Sequence, residues 1–242
     1  MSGVQGLVAS YGGKKINLVL NLDAANYVAL PTNASTISGT GSFPITVNNT
    51  GASLSYSSAN GGYWTKSNTT ALNDFFTFGP DYSAASKPYT VMMIYRSVGA
   101  TGGRLLNANT ASPDWLMGLW GSPTFVQNIA FNGAFIGSNS TAANGLWQMG
   151  WFTYNGGTPS ATSNSYIANA TVNNVSGPAG TFGTGASGGG FNGLRLWGRF
   201  SNATTITEPV RADVGLVKVW DGVLTLSQIQ TEWATYHTRF GI

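Results

Sequence analysis

The sequence has no cysteine and a single histidine, and Asp, Glu, Lys and Arg together make up only 8% of its 242 residues. Without cysteine there are no disulfides, no thiolate metal sites and no cysteine nucleophile, and nothing follows about redox compartment. Ordinary soluble domains carry about 25% charged residues. A shortage this deep weighs against long helices, whose surfaces need Ala, Leu, Glu, Lys and Arg. Long hydrophobic runs are also missing. Stretches such as Tyr89 to Tyr95 have the length of a strand, far below the roughly 20 residues of a membrane helix. Cations do not cluster either: Lys14-Lys15 is the one basic pair, and the arginines stand apart. A net charge of +3 spread in this way makes no groove for phosphates, so no nucleic-acid partner and no membrane insertion are expected. The segment Met1 to Tyr11 has neither the charged n-region nor the apolar h-region of a signal peptide. That sets the expectation of a protein assembled in the cytoplasm that works outside it, as virion proteins do.

What is present is glycine, 33 residues of it, with 42% hydrophobic and 12% aromatic residues. The apolar content suffices for a sizeable core, and a surface of Ser, Thr, Asn and Gly suits an all-β chain with many turns. Ile16 to Leu22 alternates apolar and polar residues and predicts a first strand. Further strands are expected at Phe43–Val47, at Leu54 and Tyr56 ahead of a Gly61-Gly62 turn, and at Phe75–Phe78, stopped by Gly79-Pro80. Pro88–Arg96, Arg104–Leu106, Trp115–Trp120, Phe125–Phe131, Leu146–Tyr154, Tyr166–Ala170, Leu194–Gly198 and Ala212–Trp220 follow at the spacing of a meander or sandwich. Near the end, Leu226, Ile229 and Trp233 recur at helical spacing, with Thr225 or Ser227 placed to cap a short helix. No composition break divides the chain. The expected organisation is an N-terminal arm over residues 1–15 and a single domain over 16–242.

The order of motifs resembles that of LamG-like members of the concanavalin A-like lectin/glucanase superfamily. Leu20-Asn21-Leu22-Asp23-Ala24-Ala25-Asn26 is similar to the opening "L-x-L-D-A-x-N" strand, and Ala59-Asn60-Gly61-Gly62-Tyr63-Trp64 with Leu72-Asn73-Asp74-Phe75-Phe76 to an "N-G-G…N-D-Y" segment. Lys66 stands near the Phe of that pattern, and extra residues intervene. Pro88 to Tyr95 is similar to a "P-F-T-I-x-x-W-V" strand, and Asp213–Trp220 with Leu224–Ile229 to the family's ending. The tail Thr238-Arg239-Phe240-Gly241-Ile242 is like the "R-Y-G-I" of many phage versions. The resemblance implies a two-sheet antiparallel jelly-roll sandwich, concanavalin A-like, closed by one short C-terminal helix. Strand spacing alone leads to a sandwich as well.

Function does not follow from that fold, which hosts lectins, glycosidases and structural modules. Glycoside cleavage needs two carboxylates about 5 to 10 Å apart. The chain has eight, Asp23, Asp74, Asp81, Asp114, Glu208, Asp213, Asp221 and Glu232, with no Glu-x-Asp-x-x-Glu run. His237 lies within five residues of the end, and no nucleophile elbow accompanies it, so it reads as a surface or packing residue. Calcium, which the resemblance makes a candidate cofactor, would use Asp74, Asp81 and Asp114 with Asn73. No acidic cluster supports it, and Asp and Asn serve turns through their own backbones. Sugar binding rests on exposed rings. Trp64 after Gly61-Gly62, and Trp115 with Asp114 after Pro113, together with Trp120, are the candidate carbohydrate-binding residues, whereas Trp151, Trp220 and Trp233 fall on apolar faces and read as core.

The expectation is a non-enzymatic bacteriophage virion protein, a decoration, tail or fibre component. Its partners would be other virion proteins, copies of itself and host-surface glycans. A free-standing carbohydrate-binding lectin is the alternative, and a glycan-cleaving hydrolase comes third.

Overall fold

The residues Tyr89 to Ser97 form a strand whose two faces are both apolar, and this dictates a layered molecule. In the computed structural model, Tyr89, Val91, Met93 and Tyr95 enter one core while Met92 and Ile94 enter another. The structure describes residues 9–11, 14–32, 36–37, 43–82, 87–99, 102–109, 115–120, 126–131, 134–139, 145–156, 164–169, 180–181 and 190–242. Two antiparallel sheets face each other across the larger core. The first runs in the order Gly180–Thr181, Asn164–Asn169, Trp147–Tyr154, Tyr89–Ser97, Ala212–Trp220, Tyr63–Lys66, Leu54–Ser57. Ala212–Trp220 shares its outer edge between two partners. Its first residues pair with Tyr63–Lys66, and its later ones with Leu18–Asp23. The second sheet runs Ala134–Asn139, Val126–Phe131, Trp115–Trp120, Gly103–Ala108, Asn192–Leu196, Asp74–Asp81, Thr46–Asn49. In both sheets a run of sequential strands is joined to strands distant in the chain, the topology of a jelly-roll sandwich.

The closing helix Leu226–Phe240 lies on the outer face of the first sheet, which explains the second core. Ile229 and Phe240 meet Met92, Ile94, Trp147, Met149 and Trp151 there. The helix begins as expected at Thr225, with a reciprocal capping box to Gln228. It continues a full two turns beyond Trp233 before Gly241, at φ 67°, ends it. Trp151 and Trp220 are buried as expected, but beneath the helix, not between the sheets.

Two expected boundaries shift for physical reasons. Gly79-Pro80 does not stop its strand, which runs from Asp74 through to Asp81. Gly79 takes φ 96°, and the pairing slips between Asn192 and Leu194. The proline is therefore accommodated at a bulge. The strand expected at Leu194–Gly198 instead ends at Leu196. Trp197 turns to φ 68° and sends its Nε1–H to the Ala212 carbonyl at 3.0 Å, linking the two sheets. At the N-terminus, Ala9–Tyr11 pairs with Lys14–Ile16, and Ile16 is buried in the helix-side core.

Candidate functional site

The sandwich places polar residues at regular positions on the outer face of the second sheet. In Phe76-Thr77-Phe78 and Leu194-Arg195-Leu196 the apolar residues enter the intersheet core. Two-residue alternation therefore sends Thr77 and Arg195 outward. Strand register lines them up: Thr46 lies opposite Thr77, Thr77 opposite Arg195, and Arg195 opposite Asn107. The result is a polar band across four strands. Over it lies a depression of about 430 Å³ bordered by Asn48, Phe75, Thr77, Asn109, Arg195 and Phe200. A neighbouring hollow of about 220 Å³ shares Thr46, Thr77 and Asn109 with it and extends to Asn192 and Gly193. Together they make one trough.

Arg195 forms the trough's floor. Its guanidinium lies between the rings of Phe75 and Phe200, with centroid distances of 4.1 and 4.9 Å. Nε and Nη2 both donate to Asn109 Oδ1, at 3.1 and 2.9 Å, and Nη1 donates to the Asn202 and Thr205 carbonyls, each at 3.2 Å. These last bonds pin the hairpin formed by Arg199–Phe200 and Ile206–Thr207 onto the sheet. All these acceptors are neutral. Burial pushes the Arg195 guanidinium down to about 10, because desolvation disfavours the charged form.

Two other depressions border ionisable groups. On the outer face of the first sheet, a hollow of about 490 Å³ is bordered by Tyr63, Thr65, Arg96 and Asp213. Asp213 accepts from Arg96 and, at 2.7 Å, from Thr65 Oγ1, while Tyr63 and Trp147 pack on the guanidinium. At one end of the sandwich, Asp81, Lys87 and Asp221 border a hollow of about 400 Å³. Both oxygens of Asp221 are engaged there, by the backbone N–H of Asn17 at 2.5 Å and its Nδ2 at 2.9 Å.

Two of the three tryptophans expected to meet a sugar are not exposed. Trp64 and Trp115 are both fully buried in the intersheet core. Trp64 packs edge-on against Tyr27 and Phe76, and Trp115 lies 5.4 Å from Phe191. Neither offers a face to a sugar ring. The Gly61-Gly62 turn suggested exposure, but pairing with Ala212–Val214 fixes Trp64 inward. Trp120 ends the strand Trp115–Trp120, and Asp114 lies outside the described residues. The trough residues went unnoticed because no single one of them is unusual. The readable signal was an arginine between two leucines inside a strand.

Six of the described acids, Asp23, Asp74, Glu208, Asp213, Asp221 and Glu232, serve the architecture. Asp74 is fully buried and accepts from Gly51 and Ser53 N–H at 2.7 and 2.6 Å, the turn role expected of it. Glu208 pairs with Arg104 at 2.5 Å and Glu232 with Lys218 at 2.7 Å. Among the described residues, no group of three or more His, Asp or Glu side chains sits together. His237 stacks on Trp233 with ring centroids 4.3 Å apart, a packing residue of the helix.

No protein-family model matches the chain, and no curated protein sequence does. Solved structures do match. The receptor binding domain of botulinum neurotoxin type G superposes with a TM-score of 0.57 at 8% identity, over 90% of this chain and 51% of that one. Domain 4 of AbnA, an extracellular arabinanase from Geobacillus stearothermophilus solved with arabinotriose, gives 0.54 at 14% identity, over 90% and 98%. Trypanosoma rangeli sialidase in complex with sialic acid gives 0.58 at 15% identity, over 92% and 33%. The likeness shows the fold alone, a two-sheet antiparallel jelly-roll sandwich. This chain spans about half of the toxin domain, a third of the sialidase and nearly all of the arabinanase domain.

Proposed function

We propose that this chain is a non-enzymatic binding module whose trough on the second sheet holds a surface glycan. The observation that carries this reading is the lining of the trough. It combines hydroxyls (Thr46, Thr77), amides (Asn48, Asn109, Asn192) and the half-buried ring of Phe200, and among the described residues no carboxylate borders it. Sugars present alternating hydroxyls and apolar ring faces, which such a mixture matches. Two of the similar structures support a binding role: a domain solved with arabinotriose and a toxin's receptor binding domain.

The non-enzymatic part rests on the acids. Asp23, Asp74, Glu208, Asp213, Asp221 and Glu232 all hold structural hydrogen bonds or ion pairs. Among the described residues, the hydrolase reading would have to use Asp81 with Asp221, where Asn17 occupies both oxygens of the latter. The proposed setting is the surface of a bacteriophage particle. The opening and closing motifs support it, and imaging a particle with this chain located in it tests it.

The binding reading is tested on a glycan array. Wild-type protein should retain a discrete set of sugars, and Asn48→Ala and Thr77→Val should each weaken them by about tenfold, as expected for losing one well-placed hydrogen bond. An array without hits, or hits indifferent to both substitutions, would rule out the trough as the site. Release of reducing ends from a bound glycan, abolished by Asp81→Asn, would replace the binding module with a hydrolase.

A further inference from the structure

Resting on the trough as a glycan site, we infer that its ligand carries an acidic group, a carboxylate or a sulfate on the sugar, and that Arg195 is the residue that selects it.

No described residue of the trough neutralises the charge of Arg195. Arg195 is 2% exposed, and none of the described residues bordering the trough is Asp or Glu. A cation taken out of water is normally paired, because neutral dipoles recover only part of the lost hydration. Here the acceptors are one amide oxygen and two carbonyls. These use four of the five guanidinium N–H groups. The fifth, the second hydrogen on Nη2, has no acceptor among the described residues.

A purely architectural role for Arg195, holding down the hairpin through the Asn202 and Thr205 carbonyls, explains two of its bonds. It does not explain a charged group at that position, since a neutral donor could reach the same carbonyls without the desolvation cost. Nor does it explain why the side chain borders an open trough. An anionic substituent entering the trough would supply the missing charge. The guanidinium is already fixed between Phe75 and Phe200 and by Asn109, so little side-chain entropy is lost on binding.

The test compares matched ligands and puts an acid beside the arginine without touching its bonds. Ala203 is exposed and borders the trough, so Ala203→Asp should leave the fold intact, checked by an unchanged urea midpoint. On a glycan array the wild type should retain acidic sugars and pass over neutral ones. For hits with a carboxylate, titration with the free acid and its methyl ester should differ by at least about tenfold. For sulfated hits, the desulfated sugar serves the same comparison. Ala203→Asp should weaken the acidic ligand by about tenfold and leave any neutral ligand unchanged. Array hits that are all neutral, or acid and ester binding equally, overturn the inference while the trough remains a glycan site. Loss of all array binding removes the glycan reading itself.

Discussion

Asp23 and Arg239 lie 216 residues apart in the chain and meet as an ion pair at 2.7 Å. The same guanidinium donates to the carbonyls of Asn60 at 2.7 Å, Gly61 at 3.3 Å and Gly62 at 3.0 Å. Asp23, meanwhile, caps the short 3-10 turn Ala24–Asn26 through Ala25 N–H. The opening L-D-A-x-N motif, the Asn-Gly-Gly turn and the closing Arg-Phe-Gly-Ile are thus three sides of one clasp. Their joint occurrence in the sequence marks a structural junction between the first strand, an edge hairpin and the end of the helix.

Arg239→Lys should therefore cost more than a surface salt bridge does. Lysine keeps the charge but cannot span a carboxylate and three carbonyls, since it lacks the planar fork. Both partners are partly exposed, at 19% and 13% of their side chains, so solvent screening trims the loss to about 2 kcal/mol. Urea unfolding should show a lower midpoint with an unchanged slope. A midpoint equal to wild type would mean the clasp adds nothing.

Gly62 is the tightest point of that junction. Its φ is 114°, and a Cβ there would stand 2.7 Å from the Ala24 carbonyl oxygen. Gly62→Ala should lose about 2 to 4 kcal/mol, combining backbone strain with a clash against main chain that cannot rotate away. Gly145, also at positive φ (83°) but with nothing within 4 Å, separates the two contributions. Its alanine variant should lose only about 1 kcal/mol. Equal losses by differential scanning calorimetry would deny the role of the close approach.

The helix start offers a cleaner case. Thr225 Oγ1 accepts from Gln228 N–H at 3.4 Å, and Gln228 Oε1 accepts from Thr225 N–H at 2.7 Å. Thr225→Ala removes one arm and should cost about 1 kcal/mol, while Thr225→Ser should be near neutral. Because Leu224 and Ile229 belong to the helix-side core, the loss should appear in global unfolding and not as local fraying.

The strands were legible because alternation and turn residues are local. Trp115–Trp120 and Ala212–Trp220 have the boundaries their sequences suggest. The helix cap was legible for the same reason. Which side of a strand faces the core is decided by a partner elsewhere in the chain, and this is where Trp64 misleads. A Gly-Gly turn precedes it, yet its neighbours Phe76 and Tyr27 come from other elements. Register likewise created the trough. Thr46, Thr77, Arg195 and Asn107 are scattered over the sequence and adjacent only after four strands have paired. Lys66 is the converse, a charged residue near the place where the resemblance puts a phenylalanine, and it is fully buried.

Lys66 gives the chain an alkaline signature. Its ammonium donates to Ala71 O at 2.7 Å, Asp74 O at 3.0 Å and Ser53 Oγ at 3.3 Å. Burial nevertheless pushes its pKa down to about 8, with the nearby Asp74 charge opposing only part of the shift. Between pH 8 and the unfolded value near 10.5 the folded amine is neutral while the unfolded chain still binds the proton. Unfolding then takes up a proton, so this group makes stability rise with pH across that window. Below pH 8 both states are protonated and the full cost of the buried charge is present. The gain should be about 1 to 2 kcal/mol from pH 8 to about 9.5. Above about pH 10 the sign reverses, because burial holds the Tyr82 and Tyr95 phenols far above their ordinary range, and the unfolded chain loses protons that the folded one keeps. Urea midpoints should therefore climb from pH 8 and turn over near pH 10. Lys66→Met, apolar and of similar length, should flatten the climb and leave the turnover in place. A wild-type midpoint that falls steadily from pH 8 would mean that the buried amine stays charged.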